Sequence, residues 1–290
     1  MPELPEVETV VRDLRPRLVG RRLRRLRLYQ PLVVKSSLGR FRRALAGARV
    51  AGVSRRGKYI LLELRPANGR SRCFWVVHLG MTGQLYACRP GAPLLKHTHV
   101  VASLSSGDQL RFRDPRRFGR MLLLAEKDLP DYFAALGPEP FRINLARFAR
   151  LCAGRTAPVK NLLLNQNWLR GLGNIYSSEA LFVAGVHPAR PAGALGAAEL
   201  KRLFRALRQV LREAIAGQGT TVSDYRTGEG LPGGYQNSLR VYDREGEPCP
   251  RCGTPIERLV LAGRSAHFCP QCQPRQGRGQ PHSGKKPKRC

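Results

Sequence analysis

The chain has 290 residues, 42% of them hydrophobic, and 51 Lys+Arg against 20 Asp+Glu set its net charge at +31. That length favours about two domains, and the charge makes nucleic acid the leading partner over an anionic membrane surface, since phosphate neutralisation releases counterions. The last 18 residues hold six bases and no acid, which leaves +25 on residues 1–272, while no apolar run reaches the ~18 residues of a membrane span.

The N-terminus lacks the basic region and apolar run of a secretion signal, so the chain is expected to be cytoplasmic, where thiols stay reduced. It opens MPELPEVETV, with Pro2 beside Glu3. Over residues 5–19, Val7, Val10, Val11, Leu14 and Leu18 recur at spacings of three and four, one apolar helix face. Pro5 suits the first turn, where its missing N–H costs nothing, and Glu6 and Glu8 complement the helix dipole.

From about 20 to 125 the texture changes to short apolar runs broken by Gly, Pro and Ser. YILLEL, FWVVHLG, HVVASL, QLRFR and RMLLLAE read as strands, with a hairpin at GDQ. Several such strands without intervening helices predict a β-sandwich or barrel. Lys58 sits at the mouth of one strand, and HLGMTG and RDPRRFGR place Met81, Arg116 and Phe118 at strand ends. LGPEPFRIN (136–144) has the composition of a hinge.

Residues 144–216 are expected to be helical. LKRLFRALRQVLREAI puts Leu200, Leu203, Phe204, Leu207, Val210, Leu211 and Ile215 on one face, and Gly217 and Gly219 end it. PVKNLLLNQNWL followed by LRGLGNIYSSEALF predicts a helix–two-turn–helix. There Gly171, Gly173 and Asn174 leave backbone N–H groups open to an anion at a helix N-terminus. The Gly-rich stretch 220–238 is long enough to be a functional loop, and the tail after Cys272 is too poor in apolar residues to pack.

Four of the eight cysteines, Cys73, Cys88, Cys152 and Cys290, are scattered and read as free thiols. The others form CPRC (249–252) and CPQC (269–272), two knuckles sixteen residues apart. Cys249, Cys252, Cys269 and Cys272 at this spacing suit one tetrahedral structural Zn²⁺. The residues between them have room for two short strands, a zinc β-hairpin with Arg264 near its tip.

Together these pieces resemble one family, the formamidopyrimidine-DNA glycosylases that repair oxidised purines. The resemblance runs through PELPEVET, RRGKYILLEL, HLGMTG, KHTHV, RDPRRFG, LGPEP, GLGNIYSSEALFVAGVHP, GTTVSDYR, QNSLRVYDREGEPCPRCGTPI and GRSAHFCPQCQ, covering residues 2–273 in order. It implies an α+β chain in several parts: a catalytic β-sandwich with an N-terminal helix (2–133), a hinge (134–143), a helical helix–two-turn–helix region (144–238), a zinc hairpin (239–273) and a disordered basic tail (274–290). The implied partner is damaged double-stranded DNA bound by a monomer, in a nucleoid-associated enzyme of bacterial type.

The resemblance also implies roles for individual residues. Pro2 matches the amine nucleophile and Glu3 the acid that protonates the sugar or leaving group. Glu6 matches a supporting carboxylate, Lys58 a lysine that contacts phosphates and assists β-elimination, and Arg264 a phosphate-binding arginine linked to δ-elimination. Asn174, His97, Arg155 and His78 match DNA contacts. Met81, Arg116 and Phe118 match the trio that fills the gap left by a flipped nucleotide, Arg116 facing the orphaned cytosine. Loop 220–235 matches the one that closes over the extruded purine. While Met1 is attached, the Pro2 nitrogen is an amide, so Met1 is expected to be removed. Thr98 departs from the family, standing where an acid is often found.

Two rival readings differ in class. A sister glycosylase for oxidised pyrimidines, endonuclease VIII, shares the proline, lysine and hairpin but usually reads PEGPE where this chain has PELPE. A non-catalytic zinc-ribbon binder of nucleic acid would need neither Pro2 nor Glu3.

Overall fold

The structure, a computed structural model, describes residues 1–67, 69, 71–221 and 225–275. Residues 276–290, most of the expected tail, and residues 222–224 of the Gly-rich loop lie outside the described residues.

Helix α1 (Leu4–Leu18) opens the chain, with Pro5 in its first turn and the Glu3 backbone N–H capped by Glu6 Oε2 at 2.7 Å. Eight strands follow: β1 (Leu23–Leu28), β2 (Arg49–Arg56), β3 (Tyr59–Arg65), β4 (Cys73–His78), β5 (Gln84–Cys88), β6 (Thr98–Leu104), β7 (Gln109–Arg113) and β8 (Arg120–Ala125), with α2 (Leu38–Leu45) after β1 and α3 (Leu129–Phe133) after β8. They form two antiparallel four-stranded sheets, ordered β1-β6-β7-β5 and β2-β3-β4-β8. Period-two alternation turns Leu62, Trp75 and Val77 of one sheet towards Leu85, Val100 and Phe112 of the other. The expected five strands are present. β1, β2 and β5 were not legible as strands: arginine or glycine interrupts the apolar rhythm of β1 and β2, and β5 is five residues long and buries the polar Gln84 beside Leu85 and Ala87.

The second core is helical: α4 (Leu145–Cys152), α5 (Val159–Leu164), α6 (Asn174–Ala184) and α7 (Ala197–Ala216), packed around Phe148, Trp168, Tyr176, Leu207 and Leu211. The run PVKNLLLNQNWL is helical only as far as Leu164. Beyond it Asn165 accepts the Asn167 N–H through its side chain at 2.9 Å, an Asx turn that competes with the helix. The chain then closes with β9 (Glu257–Leu261) and β10 (Arg264–Phe268), an antiparallel hairpin.

Helix α1 joins the two cores. Val7, Val10, Val11, Leu14 and Leu18 are buried in the sandwich, each contributing about 1.5–3 kcal/mol. Leu4, one turn earlier, is buried in the helical core. The first residues of the chain are therefore held where the two halves meet.

Candidate active site

A cavity of about 580 Å³ opens at this junction, lined among others by Met1, Glu3, Lys58, His78, Asn174 and Arg264. Each arrives on a different element. Lys58 is in the β2–β3 turn, His78 ends β4, Asn174 begins α6 and Arg264 begins β10.

Glu3 is the centre of the site. Its carboxylate accepts the backbone N–H of Gly173 at 2.6 Å and of Ile175 at 2.9 Å, capping the N-terminus of α6. The anion expected at this Gly-rich helix start is thus the protein's own Glu3. Gly173 is required by space: a Cβ there would lie 2.5 Å from Glu3 Cδ. Gly171 has φ +99° and its carbonyl accepts the Leu4 N–H at 2.8 Å, a second tie on the chain start.

Glu6 lies behind Glu3, fully enclosed. It accepts from the Tyr176 hydroxyl and from Thr220 N–H at 2.8 Å as well as from Glu3 N–H. Burial raises its pKa above the usual carboxylate value, the nearby Glu3 adds to this, and the hydrogen bonds oppose it. Burial likewise drives the Tyr176 phenol well above its ordinary value. Tyr176 also meets Thr220 Oγ1 at 2.9 Å, so one phenol joins α6, α1 and the start of the Gly-rich loop. Further along, that loop returns to α1, where Gly228 N–H donates to Asp13 Oδ2 at 2.9 Å.

Lys58 is only 5% exposed. Burial pulls its pKa down, Glu3 and Glu6 pull it back up, and Arg264 pushes it down again. His78 packs on Tyr59 with ring centroids 4.8 Å apart and accepts Gly80 N–H through Nδ1 at 3.1 Å. Burial first, then Arg120 and Lys58, lower its pKa to about 4. Asn174 donates to Ser265 Oγ at 3.0 Å, joining α6 to the β9–β10 hairpin, while its buried Oδ1 has no hydrogen-bond partner among the described residues.

Met81 and Phe118 are exposed at 37% and 56%, and the Arg116 guanidinium lies 4.9 Å from the Phe118 ring centre. Their loops are clamped by Asp114, which is fully buried. It accepts from the Thr82 hydroxyl and from Gly119 N–H at 2.7 Å. Gly80 lets the loops touch, since a Cβ there would meet the Phe118 carbonyl carbon at 2.5 Å. Exposed His97, at φ +70°, accepts Asp114 N–H at 3.0 Å through its carbonyl, and Thr98 donates to Leu95 O at 2.7 Å. Arg155, after α4, is exposed beside Gly193 and, like His97, does not line the cavity.

Sequence reasoning missed the buried acids that hold this frame. Glu179 of α6 accepts the N–H groups of Arg240, Val241 and Tyr242, each at 2.9 Å. Glu139 accepts Gly57 N–H at 2.7 Å, pairs with Arg55 at 2.9 Å and lies 3.3 Å from Arg170. Glu179 looks like one more polar residue on a helix and Glu139 like part of a polar linker, so only Asp114, an Asp before Pro in RDPRR, carried a visible turn signal.

The four cysteines meet at one end of the hairpin. All four Sγ atoms lie within 4.8 Å of one another, and the hydrogen-bonded pairs are 3.5–3.9 Å apart. Tetrahedral zinc with ~2.3 Å Zn–S bonds requires Sγ pairs about 3.8 Å apart, so the residues fit the ion. Four protein ligands leave no open position, and the zinc is structural. Cys73, Cys88 and Cys152 are free thiols, as expected.

A basic cleft between a β-sandwich and a helix–two-turn–helix region, with a zinc hairpin at its rim, suits an enzyme that grips nucleic acid. Comparison with known proteins narrows the class. The family model for the formamidopyrimidine-DNA glycosylase N-terminal domain matches residues 1–121, that for its H2TH domain residues 136–226, and that for the zinc finger found in FPG and IleRS residues 246–275. Formamidopyrimidine-DNA glycosylases of Symbiobacterium thermophilum and Herpetosiphon aurantiacus are 48% and 46% identical, over 94% of this chain and 90% and 100% of theirs. A point mutant of Lactococcus lactis FPG, solved with Fapy-dG-containing DNA, superposes with a TM-score of 0.87 at 34% identity, covering 94% of this chain and 100% of that one. MutM in complex with carbocyclic 8-oxo-G DNA gives 0.86 at 34% identity, over the same shares. The chain belongs to the formamidopyrimidine-DNA glycosylase family. It is an enzyme that acts on damaged DNA, with the lyase activity that membership implies. Among the described residues, no helix is long and apolar enough to cross a membrane.

Proposed function

We propose that this chain, working as a monomer once Met1 is removed, excises oxidised purines such as 8-oxoguanine and formamidopyrimidines and then cuts the abasic strand. The observation that carries the reading is the tie between Glu3 and the α6 N-terminus, which holds the start of the chain in the cavity beside Lys58 and Arg264. A free Pro2 amine attacks the deoxyribose C1′, and the bond to the base breaks with its electron pair leaving on the base, which is protonated. The attached Pro2 nitrogen loses its proton and the C1′–O4′ bond breaks with its electron pair going to O4′, which is protonated, leaving an iminium between Pro2 and C1′. That cation acidifies the 2′ position, so loss of a 2′ proton expels the 3′ phosphate, and a second elimination expels the 5′ phosphate.

Glu3, after exchanging one of its amide bonds and taking up the proton that the Pro2 nitrogen gives up, delivers it to the sugar or leaving group. Glu6 positions the nucleophile through the Glu3 backbone. Lys58, with its pKa lowered by burial, assists proton removal and contacts phosphate. Arg264 and Asn174 bind phosphates around the lesion, with His78, His97 and Arg155 as further contacts. Met81, Arg116 and Phe118 enter the stack, offsetting a few kcal/mol of flipping cost. Loop 220–235 covers the extruded base. In this reading residues 2–133 form the catalytic unit, 134–143 a hinge, 144–238 the DNA-gripping helical unit and 239–273 the zinc hairpin.

Borohydride reduction on duplex carrying 8-oxoguanine opposite cytosine tests the proposal. A covalent protein–DNA adduct is expected, lost when Pro2 is replaced by Gly or Met1 is retained. No adduct on lesion or abasic duplex would overturn the Schiff-base reading. Faster excision of thymine glycol than of 8-oxoguanine would overturn the substrate assignment.

A further inference from the structure

Between Asp13 and Glu63 the chain carries fifteen Lys and Arg and no acid. At the end of that stretch, where β2 turns into β3, Lys58 lines the cleft, Arg55 pairs with Glu8 and Glu139, and Arg56 stacks on Phe133. The rest lies elsewhere. β2 runs away from the cleft from Arg56 back to Arg49, roughly 23 Å for seven strand steps. At that far end Arg22 bridges to Arg49, and β1 and α2 begin to cover the sandwich edge.

Arg21, Arg22, Arg24, Arg25, Arg27, Arg42, Arg43 and Arg49 are all exposed there, and none forms an ion pair among the described residues. The acids on nearby elements are already engaged: Asp108 with Arg17, and Glu63 and Glu126 with Arg72. The field at this end is therefore unneutralised. It also has a shape. A cavity of about 190 Å³ between β1 and α2 is lined by Arg24, Arg25 and Arg42 over a floor of Leu23, Leu26 and Leu45. That is about six water volumes, enough for a phosphate group. Arg24 reaches the rim because a bulge interrupts β1 pairing between Leu23 and Arg25. Arg25 and Arg27, on one strand face, stand about 6.7 Å apart, on the scale of one nucleotide step. Planar guanidinium forks match phosphate oxygens better than ammonium groups do, and this patch is built of arginine alone.

We propose that this arginine face, at the opposite end of the sandwich from the cleft, is a second docking surface for the phosphate backbone of duplex DNA. An enzyme holding one segment in its cleft would then hold a second, undamaged segment on β1 and α2, and pass between segments without full release.

The test uses the full-length zinc-loaded protein with its cleft saturated by a short duplex carrying an uncleavable abasic analogue and one dye. A longer undamaged duplex with a second dye is then titrated in. The expected result is a ternary complex, with the first dye still bound. In the triple variant R24Q/R25Q/R42Q, affinity for the second duplex falls at least about tenfold and the slope of log K against log salt flattens by about 2.7, three contacts at ~0.9 each. Binding and excision on the short lesion duplex stay unchanged. The variant R24K/R25K/R42K keeps the charge and retains most of the second affinity, which separates charge loss from misfolding. The proposal is overturned if the long duplex binds only by displacing the short one. It is equally overturned if the Gln variant keeps both affinity and salt slope, or if phosphatidylglycerol vesicles bind this face while DNA does not.

Discussion

Replacing Gly173 by Ala tests the contact on which the site depends. The new Cβ would lie 2.5 Å from Glu3 Cδ and 2.6 Å from Oε1, against an ordinary contact of about 3.5 Å or more. The carboxylate must retreat by close to an ångström, which stretches the amide bonds at 2.6 and 2.9 Å beyond hydrogen-bond range. Two bonds to a charged group are worth about 1.5–3 kcal/mol each. Rehydration of Glu3 in the open cavity returns all but about 1 kcal/mol of that, while crowding adds about 1–3 kcal/mol. A net loss of about 2–4 kcal/mol follows, a fall in Tm of about 4–12 °C for a chain this long. Because α6 no longer holds the chain start, borohydride trapping on lesion duplex should fall at least a hundredfold, while zinc content stays at one per chain. The assays are thermal unfolding by circular dichroism and single-turnover trapping. A variant that melts with the wild type and traps at the wild-type rate would refute the claim that the Glu3–α6 bond positions the chain start.

Tyr176→Phe removes the hydroxyl that joins Glu6 and Thr220, leaving a buried carboxylate one donor short. Stability should drop by about 1.5–3 kcal/mol in urea titration, with an unchanged m-value. Acid should destabilise the protein from pH 6.5 towards 4. Burial lowers the pKa of His78 to about 4 and shifts those of His187 and His267 in the same downward direction, so below 6.5 the unfolded chain takes up protons that the folded chain refuses. His78 alone contributes on the order of 3 kcal/mol to that loss by pH 4. Glu6, with its pKa raised, works in the opposite direction. Chemical unfolding across this range should show stability rising with pH, and His78→Gln should flatten the slope. Chelating the zinc, or replacing Cys269 by Ser, should unravel β9–β10 and withdraw Arg264 from the cavity. Loss of one zinc per chain by metal analysis should then accompany a weakened salt dependence of DNA binding.

Much of the fold was legible because periodicity survives locally. The α1 stripe, five strands and the α7 stripe can be read within windows of a dozen residues, and the paired C-x2-C knuckles name their metal by spacing alone. β1 escaped because its apolar residues are diluted by arginines, and α5 ended early because the Asn165 side chain offered the backbone another partner. Glu179 and Glu139 escaped for a different reason. Each satisfies backbone N–H groups or guanidinium groups tens of residues away, and nothing in the surrounding sequence marks a carboxylate for such use.

The sequence by itself determined the chemistry available to this protein: which groups can attack, accept protons, hold zinc and draw in a polyanion. Tertiary structure alone decided where those groups act. It placed the chain's own Glu3, not a ligand, on the open N-terminus of α6, shut Glu6 and Lys58 away from water, and separated one arginine face from the cleft by the length of a β-strand. The physical reason is that a residue's type is local, whereas burial and the pKa changes that follow from it depend on neighbours brought together from distant parts of the chain.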